Sequence, residues 1–257
     1  MLPIWLCIVI FLVVFSALFY LTRRFRGYLV SKEHPYNNFL GPAQQLIGLI
    51  YGVMLAFVVV FSWQNYTTLH NNLEKEAVSL FDAWKDAKVF DVALRQKFNI
   101  AILNYLKSIR DVEWPLMKQG KMPPPNEAYL SLWDTVAQIE VHTDVQKAFL
   151  TNLISELNVI NSFRMERMLA ISSPTPPILW VFLIGGAMFI IMLTDLYSVS
   201  PKLSLFLASL QALIIVFAFY LISNFNHPFE GPLAIKNEAY KNVEQVISNL
   251  DNRSEIT

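Results

Sequence analysis

The sequence predicts an all-α membrane protein with four transmembrane helices and a helical extramembrane domain between the second and third of them. Two observations lead to this prediction. Hydrophobic residues make up 54% of the 257 positions and charged residues only 16%, whereas soluble domains carry about 25% charged residues. In addition, four apolar stretches lack charged side chains and approach the roughly 20 residues that a helix needs to cross the hydrocarbon core. A backbone in lipid must satisfy its own hydrogen bonds, so we expect these stretches to be helices.

Gaps between charged residues place the four spans. The first gap ends at Arg23, and the stretch before it has neither the basic amino-terminal region nor the small-residue cleavage site of a signal peptide. We therefore expect this stretch to be retained as a transmembrane helix. The predicted spans are Leu2–Leu21, Gln44–Trp63, Pro177–Thr194 and Leu203–Asn224.

The segment between the second and third spans is polar enough for a water-exposed domain, yet its apolar residues recur at helical spacing. No glycine or proline occurs between Val60 and Trp84, so we expect the second span to continue into this domain as one helix. Each apolar stripe predicts one face of an amphipathic helix. The stripes cover Leu69–Trp84, Leu94–Ile109, Tyr129–Ile139 and Val145–Ile160.

These assignments divide the chain into four segments. Residues 1–63 hold the first two spans, residues 64–176 the helical domain, residues 177–224 the last two spans and residues 225–257 a C-terminal tail. The tail has a short amphipathic pattern, formed by Tyr240, Val243, Ile247 and Leu250.

Composition and motifs argue against nucleic-acid binding and against an enzyme. Twenty basic and twenty acidic residues cancel, so no net basic charge attracts nucleic acid. The single cysteine, Cys7, lies in an apolar stretch, the four histidines are scattered, and the sequence contains no P-loop, GxGxxG, GxSxG or HExxH motif. We therefore expect no catalytic residues, no metal site and no cofactor.

The second span resembles the second transmembrane helix of bestrophins. Gly52 is followed by an apolar helix and then by Trp63 and Tyr66, at the spacings found in that family. The order of segments is similar too, with two spans, a helical domain, two spans and a tail. A bacterial and plant family described as bestrophin-like is more similar still, because it shares a Glu-Trp-Pro motif, here Glu113-Trp114-Pro115. We interpret this motif as a helix stop with an anchoring ring.

The fourth span and the turn after it carry the same resemblance. Leu210 and Gln211 match a Leu-Gln pair of the bestrophin helix, and a Pro-Phe-x-Gly turn follows at Pro228, Phe229 and Gly231. We interpret this turn as a structural anchor for the tail. Calcium-activated bestrophins have an acidic run after the turn, which is absent here. Because calcium takes six to eight oxygen ligands, we do not expect calcium gating.

The resemblance implies an ion channel, since bestrophins are pentamers with the second helix lining the pore. Their hydrophobic neck lies seven residues before, three before and one after the glycine, which assigns Gln45, Leu49 and Val53 to the pore. The spacing of four also puts these three residues on one helix face. An apolar constriction at Leu49 and Val53 can gate by dewetting, and Gln45 makes one mouth more polar. The alternative is that the three residues only pack one helix on another.

The expected partners are the lipid bilayer, inorganic ions and further copies of the chain in a homopentamer. The expected location is the bacterial inner membrane, with the chain as a multi-pass protein.

No charged residue lies in the middle of a span, which argues against a proton-coupled pump. The alternative function is a non-conducting, membrane-anchored sensor or scaffold whose helical domain binds a partner.

Two arguments disagree about orientation in the membrane. The loop between the first two spans contains Arg23, Arg24, Arg26 and Lys32, so the positive-inside rule places this loop in the cytoplasm and the helical domain outside. Bestrophins have the helical domain in the cytosol. Both arguments place the termini and the domain on the same side of the membrane.

Overall fold

The computed structural model describes residues 37–171, 175–197 and 201–254, together with Ala17, Tyr20 and Arg24. Within these residues the chain is helical and has no strand. Apart from two isolated positions, the predicted first span Leu2–Leu21 lies outside the described residues. The helices are α1 (Asn37–Asp86), α2 (Val92–Ser108), α3 (Trp114–Met117), α4 (Glu127–Ala137), α5 (Asp144–Leu169), α6 (Pro177–Tyr197), α7 (Pro201–Phe225) and α8 (Glu238–Ser254).

Helix α1 confirms that the second span continues without a break. It has 50 residues and is therefore about 75 Å long. Three helical stretches are long and apolar enough to cross a membrane within the described residues, and they are Gly41–Val89, Pro177–Asp195 and Lys202–Phe225. The last two correspond to the predicted third and fourth spans.

Two compact units make up the chain. The span unit comprises residues 1–65 and 175–226, and the domain unit comprises residues 66–174 and 227–257. In the span unit, Tyr51, Leu55 and Val58 of α1 belong to a buried cluster with side chains of α6 and α7, namely Leu183, Ala187, Ile190, Ile215 and Ile222.

The core of the domain unit is formed by the predicted helical stripes. Three of its helices begin at residues whose side chains accept a backbone hydrogen bond, a common way to satisfy free amides at a helix start. The capping residues are Asp91 for α2, Asn126 for α4 and Thr143 for α5. Completely buried core residues come from each of these helices and from α1 and α8, namely Leu80, Ile102, Leu132, Leu153, Leu157, Ile160 and Ile247.

The Glu-Trp-Pro motif does not stop a helix, so that part of the prediction is wrong. After α2 the chain makes a π-helical turn, Ile109–Glu113, and continues directly into α3, which ends at Met117. Pro115 lies in the first turn of α3. The proline is therefore accommodated where the π-helical turn passes into this short helix.

Candidate functional sites

The residues predicted to line a pore lie on an exposed face of α1. Leu49 is 66% exposed, Val53 is 46% exposed, and Gln45 is exposed as well. A helix turns about 100° per residue, so Leu49 and Val53 lie about 40° and 80° around the axis from Gln45. The three side chains thus share one face that the described chain leaves open.

The opposite face of α1 packs inside the span unit. Tyr51, Leu55 and Val58 are each less than 10% exposed. They lie about 220° to 280° around the axis from Gln45. The Tyr51 hydroxyl also donates a 2.9 Å hydrogen bond to the carbonyl of Leu183. This half of α1 therefore has one packed face and one open face.

Two glycines beside the open face lack a packing reason within the described chain. A Cβ atom added at Gly48 or Gly52 would meet nothing within 4 Å. At Gly186 of α6, by contrast, an added Cβ would lie 2.6 Å from the ring of Tyr51. Glycine inside a helix costs about 1 kcal/mol relative to alanine. A close contact explains that cost at Gly186, and no contact of the described chain explains it at Gly48 and Gly52.

Polar side chains in the span unit are joined by hydrogen bonds. Gln44 Nε2 donates to Thr194 Oγ1 at 2.8 Å, and the same hydroxyl lies 2.8 Å from Gln211 Oε1. The Ser204 hydroxyl donates to Asp195 at 2.6 Å, and both residues are completely buried. Polar groups in an apolar surrounding need such internal partners. Gln211, one half of the Leu-Gln motif, therefore helps to connect α1, α6 and α7.

A buried ionic cluster, which we define as Glu76, Glu113, Arg164 and Arg167, lies in the domain unit. Arg167 is completely buried and donates to Glu76 from Nε and Nη2, each at 3.1 Å, and to Glu113 from Nη1 at 2.7 Å. Arg164 donates to the other oxygen of Glu113 at 3.1 Å. Two carboxylates and two guanidinium groups have no net charge, so the cluster leaves no uncompensated charge in the interior.

Neutral side chains also donate hydrogen bonds to the two carboxylates of the ionic cluster. The hydroxyls of Tyr105 and Tyr240 donate to Glu76 at 2.9 and 2.7 Å, and Asn126 Nδ2 donates to Glu113 at 2.7 Å. Every carboxylate oxygen of the cluster accepts at least one hydrogen bond. The arrangement leaves no carboxylate free for acid–base chemistry, and it links α1, α2, α5, α8 and the π-helical turn.

Charge and burial act in opposite directions on the titration of the ionic cluster. Burial alone would raise the pKa of Glu113, but Arg167, the hydrogen bond from Asn126 and Arg164 outweigh it, so the pKa of Glu113 is lowered. Burial, followed by the nearby carboxylate of Glu76, raises the pKa of Tyr105 and of Tyr240. At neutral pH, Glu113 is therefore ionised and both tyrosines are protonated donors.

The turn at Pro228, Phe229 and Gly231 begins the second segment of the domain unit. The amide of Ile235 donates to the carbonyl of Pro228 at 2.8 Å, which closes the turn. Phe229 is 3% exposed, and its ring meets Trp114 edge-on at 5.5 Å between centroids. Gly231 has a φ of 79°, a left-handed conformation that residues with a Cβ rarely adopt. The turn and the Glu-Trp-Pro motif thus meet in the core.

Sequence patterns alone did not identify the ionic cluster, although they contain a signal for it. Glu76 lies on the buried side of the stripe Leu69–Trp84, and Arg164 and Arg167 follow Ile160 at spacings of four and seven. A charge at a position assigned to the core needs a buried partner. Spacing cannot tell which residue is that partner, because Glu113 is distant in sequence from both arginines.

Among the described residues, no group of three or more His, Cys, Asp or Glu side chains is arranged to hold a metal ion.

Comparisons with solved structures identify the fold. A variant of a bacterial bestrophin homologue from Klebsiella pneumoniae superimposes with a TM-score of 0.71 at 11% identity, covering 95% of this chain and 98% of that chain. A second variant of that homologue gives 0.70 at 11% identity, with 95% and 99% covered. A structure described as a membrane protein gives 0.72 at 10% identity, with 97% and 98% covered. No curated protein sequence matches this chain.

The long apolar helices and this fold define an integral membrane protein of the bestrophin type. The family model for the Bestrophin-like domain matches residues 9–240, which is most of the chain. The protein therefore belongs to the bestrophin-like family, as the motifs in its second and fourth spans predict.

Proposed function

We propose that this protein is one subunit of an oligomeric ion channel in which the N-terminal half of α1 lines the pore. Gln45, Leu49 and Val53 face the lumen, and Leu49 with Val53 forms an apolar neck. The observation that carries the proposal is the open face of α1, which lies opposite its packed face. Family membership favours a pentamer in the bacterial inner membrane, with lipid around it and inorganic ions passing through it.

The two unexplained glycines support close approach of another helix to α1. Small residues allow helix backbones to approach in lipid, where packing replaces the hydrophobic effect as the main attraction. Gly48 and Gly52 lie about 60° and 20° from Gln45, on the side of the open face nearer Leu55. A neighbouring copy of α1 packed against these glycines leaves Leu49 and Val53 directed into the space between the subunits.

Ionic current from the purified protein tests this proposal. In a planar bilayer under a KCl gradient, we expect discrete currents with a reversal potential different from zero. Leu49→Ala and Val53→Ala should each change single-channel conductance, because removing side-chain volume widens an apolar neck and lowers its dewetting barrier.

Leu213→Ala in α7 is the matched control, since Leu213 is 66% exposed, as is Leu49, but lies on another helix. We expect its conductance to equal that of the wild type. An oligomer that is folded and inserted but carries no current would contradict the channel proposal. That result would favour a membrane-anchored sensor or scaffold whose helical domain binds a partner.

A further inference from the structure

The hydrogen bonds of the ionic cluster form a chain with two different ends. They run from Arg164 to Glu113, from Glu113 to Arg167 and from Arg167 to Glu76. Positive and negative groups therefore alternate, so that one end of the chain is a guanidinium group and the other is a carboxylate. The two inner members have an oppositely charged partner on both sides, whereas each end has such a partner on one side.

The negative end of this chain is completed by neutral donors. The hydroxyls of Tyr105 and Tyr240 donate to Glu76 at 2.9 and 2.7 Å, and Arg167 donates to it from two nitrogens. Each oxygen of the Glu76 carboxylate thus accepts two hydrogen bonds. A charge removed from water needs such additional partners, because attraction to a single counter-charge does not offset its desolvation.

The positive end lacks comparable partners. Arg164 is 8% exposed, and of the five N–H donors of a guanidinium group, one on Nη2 binds Glu113. The Nε atom is buried and has no hydrogen-bond acceptor among the described residues. Glu113 also accepts hydrogen bonds from Arg167 and Asn126, so its charge is divided between several donors. Arg164 is therefore a nearly buried cation whose charge is only partly compensated.

The face of the Arg164 guanidinium group is covered, but its edge is not. The ring of Tyr129 lies over the face, with 5.3 Å between the Arg164 Cζ atom and the ring centroid. The side chain as a whole remains 10% exposed. A small ligand can therefore reach the edge of the group from solvent and accept hydrogen bonds in its plane.

We propose that Arg164 binds a small monovalent anion of the halide class, such as chloride, at the edge that includes Nε. A halide ion is spherical and accepts hydrogen bonds from any direction, so one guanidinium edge can hold it through charge-assisted bonds. Phosphate carries more charge and more oxygen atoms than one nearly buried arginine can satisfy, and the carboxylate of Glu113 would repel it more strongly.

The bound anion stabilises the contact between two elements of the domain unit. Arg164 lies in α5, and its ion-pair partner Glu113 is the last residue of the π-helical turn. An anion on Arg164 supplies the acceptor that the positive end of the chain lacks, as the two tyrosines supply donors at the negative end. The site lies entirely within the domain unit and does not depend on which helix lines a pore.

Thermal unfolding of the detergent-solubilised full chain tests this inference. The midpoint should rise by a few degrees and reach a plateau as sodium chloride replaces sodium gluconate at constant ionic strength, because a ligand bound by the folded state alone stabilises it. Arg164→Lys keeps a positive charge beside Glu113 but removes the planar set of donors, so it should lose most of this rise.

Arg110→Lys is the matched control. Each side-chain nitrogen of Arg110 already donates to a carboxylate, so this variant should show the same chloride-dependent rise as the wild type. A wild type without such a rise, or an equal rise in Arg164→Lys, would overturn the inference.

A direct measurement decides the question even if Arg164→Lys does not fold. Crystals of the wild type soaked in sodium bromide should show anomalous scattering from a bromide ion within hydrogen-bonding distance of Arg164 Nε. Bromide found only at other positions would contradict the site. Neither measurement requires ionic current, so failure of this site and failure of the channel proposal are distinguishable.

Discussion

The span unit and the domain unit, each considered by itself, are stabilised in different ways. The span unit is held by apolar packing, by close contact of Tyr51 with Gly186, and by a few hydrogen bonds between polar side chains. Its outer surface is itself apolar, with Phe57, Phe206 and Leu213 each more than 60% exposed. The domain unit has an apolar core too, but its largest completely buried side chain is Arg167.

This difference follows from the two solvents. In water, burying apolar area stabilises a fold by about 25 cal/mol per Å², so the domain unit can include a desolvated ionic cluster within a large apolar core. In lipid that driving force between helices is missing, and stability depends on tight packing and on internal hydrogen bonds. Removal of a buried charge should therefore destabilise the domain unit, whereas added side-chain volume should destabilise the span unit.

Arg167→Met should have the largest effect on stability. It leaves Glu76 and Glu113 buried without their shared guanidinium group, and removing one partner of a buried ion pair typically costs about 3–5 kcal/mol. We expect a loss of that size in the free energy of unfolding of the domain unit, measured by denaturant titration of the detergent-solubilised protein.

Arg110→Met provides the comparison for that prediction. Arg110 binds Asp111 and Glu244 at the surface and is 34% exposed, so its loss should cost below about 1 kcal/mol. Equal losses for the two arginine variants would show that burial of the ionic cluster does not matter to stability.

Gly186→Ala should have an intermediate effect, confined to the span unit. The added methyl group would lie 2.6 Å from the ring of Tyr51, and overpacking of this kind costs about 1–3 kcal/mol. The thermal unfolding midpoint in detergent should fall. At the adjacent Gly185 an added Cβ meets nothing within 4 Å, so Gly185→Ala should leave the midpoint unchanged or raise it. A fall in both variants would contradict the role assigned to the Tyr51 contact.

The smallest expected effect is the change with pH of the stability difference between Glu113→Gln and the wild type. The pKa of Glu113 is lowered in the folded protein, so the ionised carboxylate stabilises the fold above the pKa of the unfolded chain, about 4.3 for glutamate. This contribution is lost as the pH falls through the lowered pKa of the folded state. Glu113→Gln should be less stable than the wild type at neutral pH, and the difference should narrow in acid.

Unfolding curves of the two proteins at several pH values below 5 measure that difference. Glu140→Gln changes an exposed carboxylate and is the control, since its difference from the wild type should stay constant. A gap between wild type and Glu113→Gln that does not change with pH would mean that the charge of Glu113 contributes nothing to folding.

Sequence patterns predicted those parts of the fold that depend on periodicity. The amphipathic helices of the domain unit each bury the apolar stripe that the sequence shows. The last two apolar helices follow the gaps between charged residues, and the continuity of α1 follows from the absence of glycine and proline between Val60 and Trp84. The assignment of Gln45, Leu49 and Val53 to a pore remains a prediction. Their shared face follows from spacing, whereas spacing carries no information about what lies opposite that face.

Two features could not be predicted because they depend on contacts between distant segments. The helical path through Glu113-Trp114-Pro115 differs from the expected stop, and the ring of Trp114 packs against those of Phe229 and Tyr240, which are distant in sequence. The ionic cluster similarly joins residues that are 91 positions apart, Glu76 and Arg167. Local spacing carries no information about such pairs.

The order of the ionic cluster along the chain has a consequence for biosynthesis. Glu76, Glu113 and Arg167 leave the ribosome before the two apolar helices α6 and α7, whereas Tyr240 and Phe229 follow them. The domain unit therefore remains incomplete, with one hydrogen bond to Glu76 missing and part of its core exposed to water, until both apolar helices have been synthesised. Domains generally fold as their chains emerge, but this domain can close only after both apolar helices have been synthesised, because the tail that completes it follows them in the chain.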